Sequence, residues 1–178
     1  MRLLLALSRT IDRINGLVGR AVSWLVLAAV LISAGNAAMR RAFDLSSNAW
    51  LEIQWYLFAA VFLLAAGYTL LLDKHVRIDV VTARLTPRAR AWVDILGGLF
   101  FLLPMALIIL YLSWPMLVIS YTGNEISSDA GGLVRWYVKA LIPAGFALLV
   151  LQAVSEIIKR IAFLRGDAAA LNDETRTP

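Results

Sequence analysis

The sequence predicts an all-α integral membrane protein: four transmembrane helices preceded by an N-terminal amphipathic interfacial helix. Three observations predict it. Four long apolar stretches, residues 18–38, 49–72, 92–119 and 138–158, each reach the about 20 residues that a helix needs to cross a bilayer core. The chain is 61% hydrophobic over its 178 residues, well above a soluble domain of this size. The basic residues gather between the stretches and alternate from side to side. Lipid offers no hydrogen-bond partner to backbone groups, so spans of this length are expected as helices.

Charge sets the expected orientation. Arg2, Arg9, Arg13 and Arg20 precede the first span, Lys74, Arg77, Arg84, Arg88 and Arg90 lie between the second and third, and Lys159, Arg160, Arg165 and Arg176 follow the fourth. The opposite side carries Arg40, Arg41 and Arg135. Thirteen against three over short loops places both termini in the cytoplasm. The net charge of +5 is a consequence of this topology and does not point to nucleic acid, because the basic residues sit at span ends. The absence of cysteine excludes thiol chemistry and disulfides, and one histidine excludes a multi-histidine metal centre within one chain. No cofactor is expected.

Residues 1–16 form the first element. Leu3, Leu4, Leu7, Ile11, Ile14 and Val18 share one arc of a helical wheel, and Arg2, Arg9, Asp12 and Arg13 the opposite one. This is expected as an interfacial helix, its leucines in acyl chains and Arg2, Arg9 and Arg13 toward anionic headgroups, with a bend at Asn15-Gly16. The alternative is that it extends span one. Span one is too long for a signal-peptide core and is expected to be retained. Its late small residues Ala28, Ala29, Ser33, Ala34 and Gly35 permit close helix approach.

Span two opens with Asn48, Trp50, Glu52 and Gln54. Glu52, Tyr56, Ala59 or Ala60, Leu63 and Gly67 share a face that reads as a packed seam rather than a lipid surface. Glu52 is either an ion or proton ligand, or an interfacial carboxylate paired with a partner helix or an outer-loop arginine; the second is favoured. Beyond the span, Asp73-Lys74-His75-Val76-Arg77-Ile78-Asp79 alternates charge with Val and Ile, which predicts an ordered segment. His75 reads either as a pH switch or as a hydrogen-bonding residue at helix ends or headgroups, and the latter is favoured. Thr86 then caps a helix whose first residue is Pro87.

Span three spans about 42 Å at 1.5 Å per residue, more than a hydrocarbon core of about 30 Å, so it must tilt, kink or protrude, with Pro104 the candidate kink. Gly97-Gly98 permits close packing, and Asp94 can meet the arginines before it. The outer loop, residues 121–135, is polar and glycine-rich. In span four Trp136 and Lys139 form an interfacial anchor, and with Trp50 and Trp114 they hold depth at the outer interface. Ala140, Ala144 and Ala147 make a small-residue face. Glu156 lies beside Lys159 and Arg160. Residues 161–178 are expected as a disordered tail. No span carries a ladder of ionisable residues through its middle, and no acid–base or nucleophile constellation is visible, so an enzyme is not expected.

Three runs lie along the second span and its exit: Asn48-Ala49-Trp50-Leu51-Glu52-Ile53-Gln54-Trp55-Tyr56-Leu57-Phe58, then Gly67-Tyr68-Thr69-Leu70, then His75-Val76-Arg77-Ile78-Asp79-Val80. With Ser113-Trp114-Pro115, Ala130-Gly131-Gly132-Leu133 and the run from Lys139 to Ala147, the chain resembles, from Asn48 to Ile158, the small membrane subunit (the DctQ-type Q component) of tripartite ATP-independent periplasmic (TRAP) transporters. It is most similar to the subgroup whose large partners are labelled for mannitol or chloroaromatic compounds. It departs from many relatives in following Glu52 with Ile53 instead of a second acid, and in lacking prolines near Val134 and Tyr137. The resemblance implies a bacterial inner-membrane complex in which a periplasmic binding protein (P component) captures a solute, often an organic acid. A large polytopic subunit (M component) moves the solute inward on a cation gradient, usually sodium, and the small subunit braces its scaffold. Glu52, Tyr56, Ala60 and Gly67 would then form a helix seam or partner interface, and His75, Arg77 and Asp79 would order the cytoplasmic end. A self-contained, proton-coupled multidrug-type transporter acting as an oligomer is the competing expectation, with Glu52 as its coupled acid.

Overall fold

The computed structural model describes residues 1–44, 47–72 and 85–167. Four stretches of helix among them are long and apolar enough to cross a membrane: Arg2–Phe43, Asn48–Leu71, Pro87–Thr122 and Trp136–Leu164. They comprise six α-helices: α1 (Arg2–Phe43), α2 (Asn48–Leu64), α3 (Ala66–Leu71), α4 (Pro87–Gly97), α5 (Leu103–Thr122) and α6 (Trp136–Leu164). A π-helical turn at Gly98–Leu102 joins α4 to α5.

Helix α1 corrects one expectation. Its 42 residues run unbroken through Asn15-Gly16, so no separate N-terminal helix ends there. Asparagine weakens helices because its side chain competes for nearby backbone groups. Here the Asn15 amide bonds Oε1 of Gln152 on α6 at 2.9 Å, and its one local bond is back to Ile11 O at 3.4 Å within the helix. The competition is removed and the helix continues. At about 63 Å, α1 is roughly twice the thickness of a bilayer core. Asp44 in the left-handed conformation ends it, with Arg40 and Arg41 in the last turn where the helix dipole favours cations.

Helices α2 and α3 are one span with a local turn at Ala65, whose N–H still reaches Val61 O at 3.1 Å. Thr86 caps α4 as expected, accepting the Ala89 N–H at 3.3 Å, with Pro87 first in the helix. The irregularity expected at Pro104 takes the form of the π turn. Leu103 N–H bonds Gly98 O, five residues back, just before the proline that lacks a donor and would crowd the preceding turn.

Helix α6 is the hub and packs on each of the other described helices. Its share of buried residues is the highest of the four spans. Its closest approach is not at Ala144, which is exposed, but at Gly145, where a Cβ would stand 2.6 Å from Leu63 O. Helix α6 also continues to Leu164, past the expected start of the tail at 161. Helices α1 and α6 run antiparallel, Ser8 opposite Ser155 and Asn15 opposite Leu148 and Gln152, so the start of α1 and the end of α6 lie at one end of the bundle. The 123–135 loop closes the other end.

An outer-loop latch and a buried polar seam

The loop between α5 and α6 is a short hairpin. Ile126 bridges Val134, Ser127 N–H bonds Leu133 O at 2.9 Å, and Arg135 N–H bonds Glu125 O at 2.8 Å. Gly131 takes φ 74° at its tip. At Gly132 a Cβ would lie 2.4 Å from that of Ser127, so the loop closes only around a glycine.

Helix α2 holds this hairpin from the side. Both Glu52 oxygens are engaged: one accepts the Ser127 hydroxyl and the other accepts Leu133 N–H at 2.7 Å. One turn further, the Tyr56 hydroxyl donates to Val134 O at 3.3 Å, and Asn48 donates to Ala130 O at 3.1 Å. Lys139 on α6 pairs with Glu125 at the base of the loop. That contact holds the Glu125 carboxyl below its ordinary range. Within this chain the Glu52 carboxylate is thus engaged by a hydroxyl and a backbone amide of the outer loop, whereas the expected partners are a partner helix or an outer-loop arginine.

The second constellation lies toward the other end and was not anticipated. Ser8, Asp12 and Asn15 of α1 face Gln152, Ser155, Glu156 and Lys159 of α6. The Ser8 and Ser155 hydroxyls are 2.6 Å apart, and Ser155 also donates to Asp12 Oδ1 at 2.7 Å, so Ser8 is the donor of the pair. Gln152 accepts from Asn15 and donates to Asp12 Oδ1 at 2.8 Å and Glu156 Oε1 at 3.0 Å. Lys159, 3% exposed, lies 2.6 Å from Glu156 Oε1 and 3.4 Å from Asp12 Oδ2. The signal was present as spacing. Residues 8, 12 and 15 recur at i, i+4 and i+7, and 152, 155, 156 and 159 match them; but a wheel sorted into apolar and charged arcs disperses serine, asparagine and aspartate. Nearby, Asp94 pairs with Arg160 of α6 at 3.2 Å.

The expected seam residues are divided between these regions. Glu52 and Tyr56 serve the latch. Ala60, not Ala59, is buried. Gly67 lies where α1, α3 and α6 meet: a Cβ there would stand 2.2 Å from Asn15 Oδ1 and 3.2 Å from Leu148 O. Trp136 stacks on Tyr137 with ring centres 3.9 Å apart and meets Tyr121 edge-on, whereas Trp50 and Trp114 are exposed. Arg2, Arg9 and Arg13 are exposed on α1. His75, Arg77 and Asp79 lie outside the described residues.

The family model for the DctQ component of tripartite ATP-independent periplasmic transporters matches residues 29–163. The chain belongs to this family. No curated protein and no solved structure matches it. The DctQ match covers the latch and all of α6 but its last residue, while Ser8, Asp12 and Asn15 precede it. This DctQ component is thus a membrane-type helical protein of a transporter family and not of an enzyme family.

Proposed function

We propose that this DctQ component is the small accessory subunit of a TRAP complex in the bacterial inner membrane, with both termini cytoplasmic. It braces a large elevator-type M component for sodium-driven uptake of an organic acid or similar small solute delivered by a periplasmic P component. The family match over 29–163 carries this reading. Three features support it. The ionisable side chains of the seam and latch are engaged with other groups of the same chain, as suits a brace more than a conduit. The flanks of the bundle are broad and apolar, with Phe62, Phe101 and Leu112 among the exposed side chains. The thirteen-to-three charge bias favours cytoplasmic termini. In this reading Trp50, Trp114, Trp136 and Lys139 hold the bundle at its depth, and the latched hairpin offers a fixed surface on the periplasmic side.

The self-contained multidrug reading needs Glu52 free to exchange a proton within a cavity. Its double engagement by Ser127 and Leu133 counts against that. The test is purification of the tagged chain from its native membrane in mild detergent, with mass spectrometry of what accompanies it. A stoichiometric large polytopic protein is expected. A lone chain or homo-oligomer that transports in liposomes would overturn the proposal.

A further inference from the structure

Four arginines stand in one line on α1. Arg2, Arg9, Arg13 and Arg20 are separated by seven, four and seven residues. At 3.6 residues per turn they fall within about 40° of the helix circumference and extend over about 27 Å of its axis. All four are exposed, and among the described residues none of their guanidinium groups has an ion-pair partner. Topology alone needs positive charge at this end of the chain, but it does not need that charge on one edge of a helix.

The buried seam fixes the rotation of that edge. Ser8, Ile11, Asn15, Gly19 and Val22 are buried on one face of α1, and the arginine line lies roughly 130° round the helix from it. Beyond the arginines, on the side away from Asp12, come Leu3, Leu7, Ile14 and Leu17, all exposed. A line of guanidinium groups therefore runs beside a line of bare apolar side chains, and the clasp to α6 holds both in place.

We propose that this edge of α1 is a binding site for anionic phospholipids of the adjoining leaflet. The arginines take the phosphates, and acyl chains lie along Leu3, Leu7, Ile14 and Leu17. Guanidinium forks bind phosphate oxygens in pairs, and a net-negative headgroup is favoured because no carboxylate among the described residues pairs with the line. The site differs from a free amphipathic helix that orders on contact with lipid. Here the ordering is done by the protein, so little conformational entropy is lost on binding. The inference rests on the bundle being in a membrane and is independent of its role in transport.

The test uses the full chain in phosphatidylcholine bilayers, with electron paramagnetic resonance of spin-labelled phosphatidylglycerol and spin-labelled phosphatidylcholine. The wild type is expected to prefer phosphatidylglycerol about fivefold, the effect of one well-placed basic residue at the surface. The preference should fall to near one when all four arginines are replaced by glutamine, and should be largely kept when they are replaced by lysine. Salt at 1 M on the wild type is an independent measurement that needs no variant, and it should cut the preference sharply. Absence of preference in the wild type, or a preference that survives both the glutamine variant and salt, would overturn the site. So would an unchanged lipid preference in a glutamine variant that has lost a co-purifying protein, since the arginines would then serve that protein.

Discussion

Asn15 of α1 donates to Gln152 of α6 across 2.9 Å, and neither side chain is exposed to any degree. A hydrogen bond between two amides in a helical membrane bundle is worth little on average and more when nothing else can replace it. Gln152 has no spare donor, since its two N–H groups already serve Asp12 and Glu156.

Asn15→Leu and Gln152→Leu should each lower the unfolding temperature in detergent, because each leaves a buried amide without its partner. The double variant should recover part of the loss. A double-mutant cycle by thermal or denaturant unfolding should give a coupling of about 0.6–1.7 kcal/mol. Simple additivity would show that the two amides do not act as a pair.

Gly67→Ala should destabilise the chain by about 1–3 kcal/mol, the usual range for overpacking. The added carbon meets Asn15 Oδ1 and Leu148 O, and the asparagine cannot swing away without breaking its bond to Gln152. Gly67→Leu should reduce recovery of the TRAP complex further. Gly97→Ala, with open space around it, is the control and should be near neutral. Equal melting temperatures for Gly67→Ala and Gly97→Ala would refute the close three-helix junction.

Glu52→Ala should free the hairpin without unfolding the bundle. Hydrogen exchange at the Leu133 amide, which donates to Glu52, should accelerate tenfold or more. A hydrogen bond to a charged group contributes about 1.5–3 kcal/mol. Glu52→Gln keeps one acceptor and should fall between. Exchange at Leu149 in the hub helix should not change.

Acid should loosen the base of the same loop. The Glu125 carboxyl is held below its usual value of 4.5 chiefly by Lys139. A depressed folded pKa means the stabilisation is fully present above the unfolded value and lost as pH falls through the folded one. Proteolysis or exchange of the 123–135 loop should therefore be flat from pH 7 to about 5 and rise below about 4. Lys139→Met should remove most of this acid dependence, since the largest cause of the shift goes with it.

The spans were legible because length and apolarity alone specify them, and the Thr86 cap was legible because capping is local. The polar seam was hidden for a tertiary reason. Ser8, Asp12 and Asn15 are ordinary surface residues until a particular face of α6 is brought opposite. The expected bend at Asn15-Gly16 failed for the same cause, since Gln152 supplies what the local backbone would otherwise have offered. At the latch, the sequence indicated a paired acid near the membrane edge but not its partners. Hairpin closure at Ser127 and Leu133 depends on Gly132 and on the Ile126–Val134 bridge, which no spacing rule relates to Glu52.

The seam joins α1 to α6, two helices made far apart in time. Asn15 and Gln152 are 137 residues apart. At about 5–20 residues per second, roughly 7–30 s of synthesis separate them. Throughout that interval the partners on α6 of a serine, an acid and an amide of α1 are still to be made. Insertion of this subunit thus has a definite closing event, the arrival of the C-terminal half of α6. A chain stopped before it would leave the polar stripe of α1 without its partners on α6.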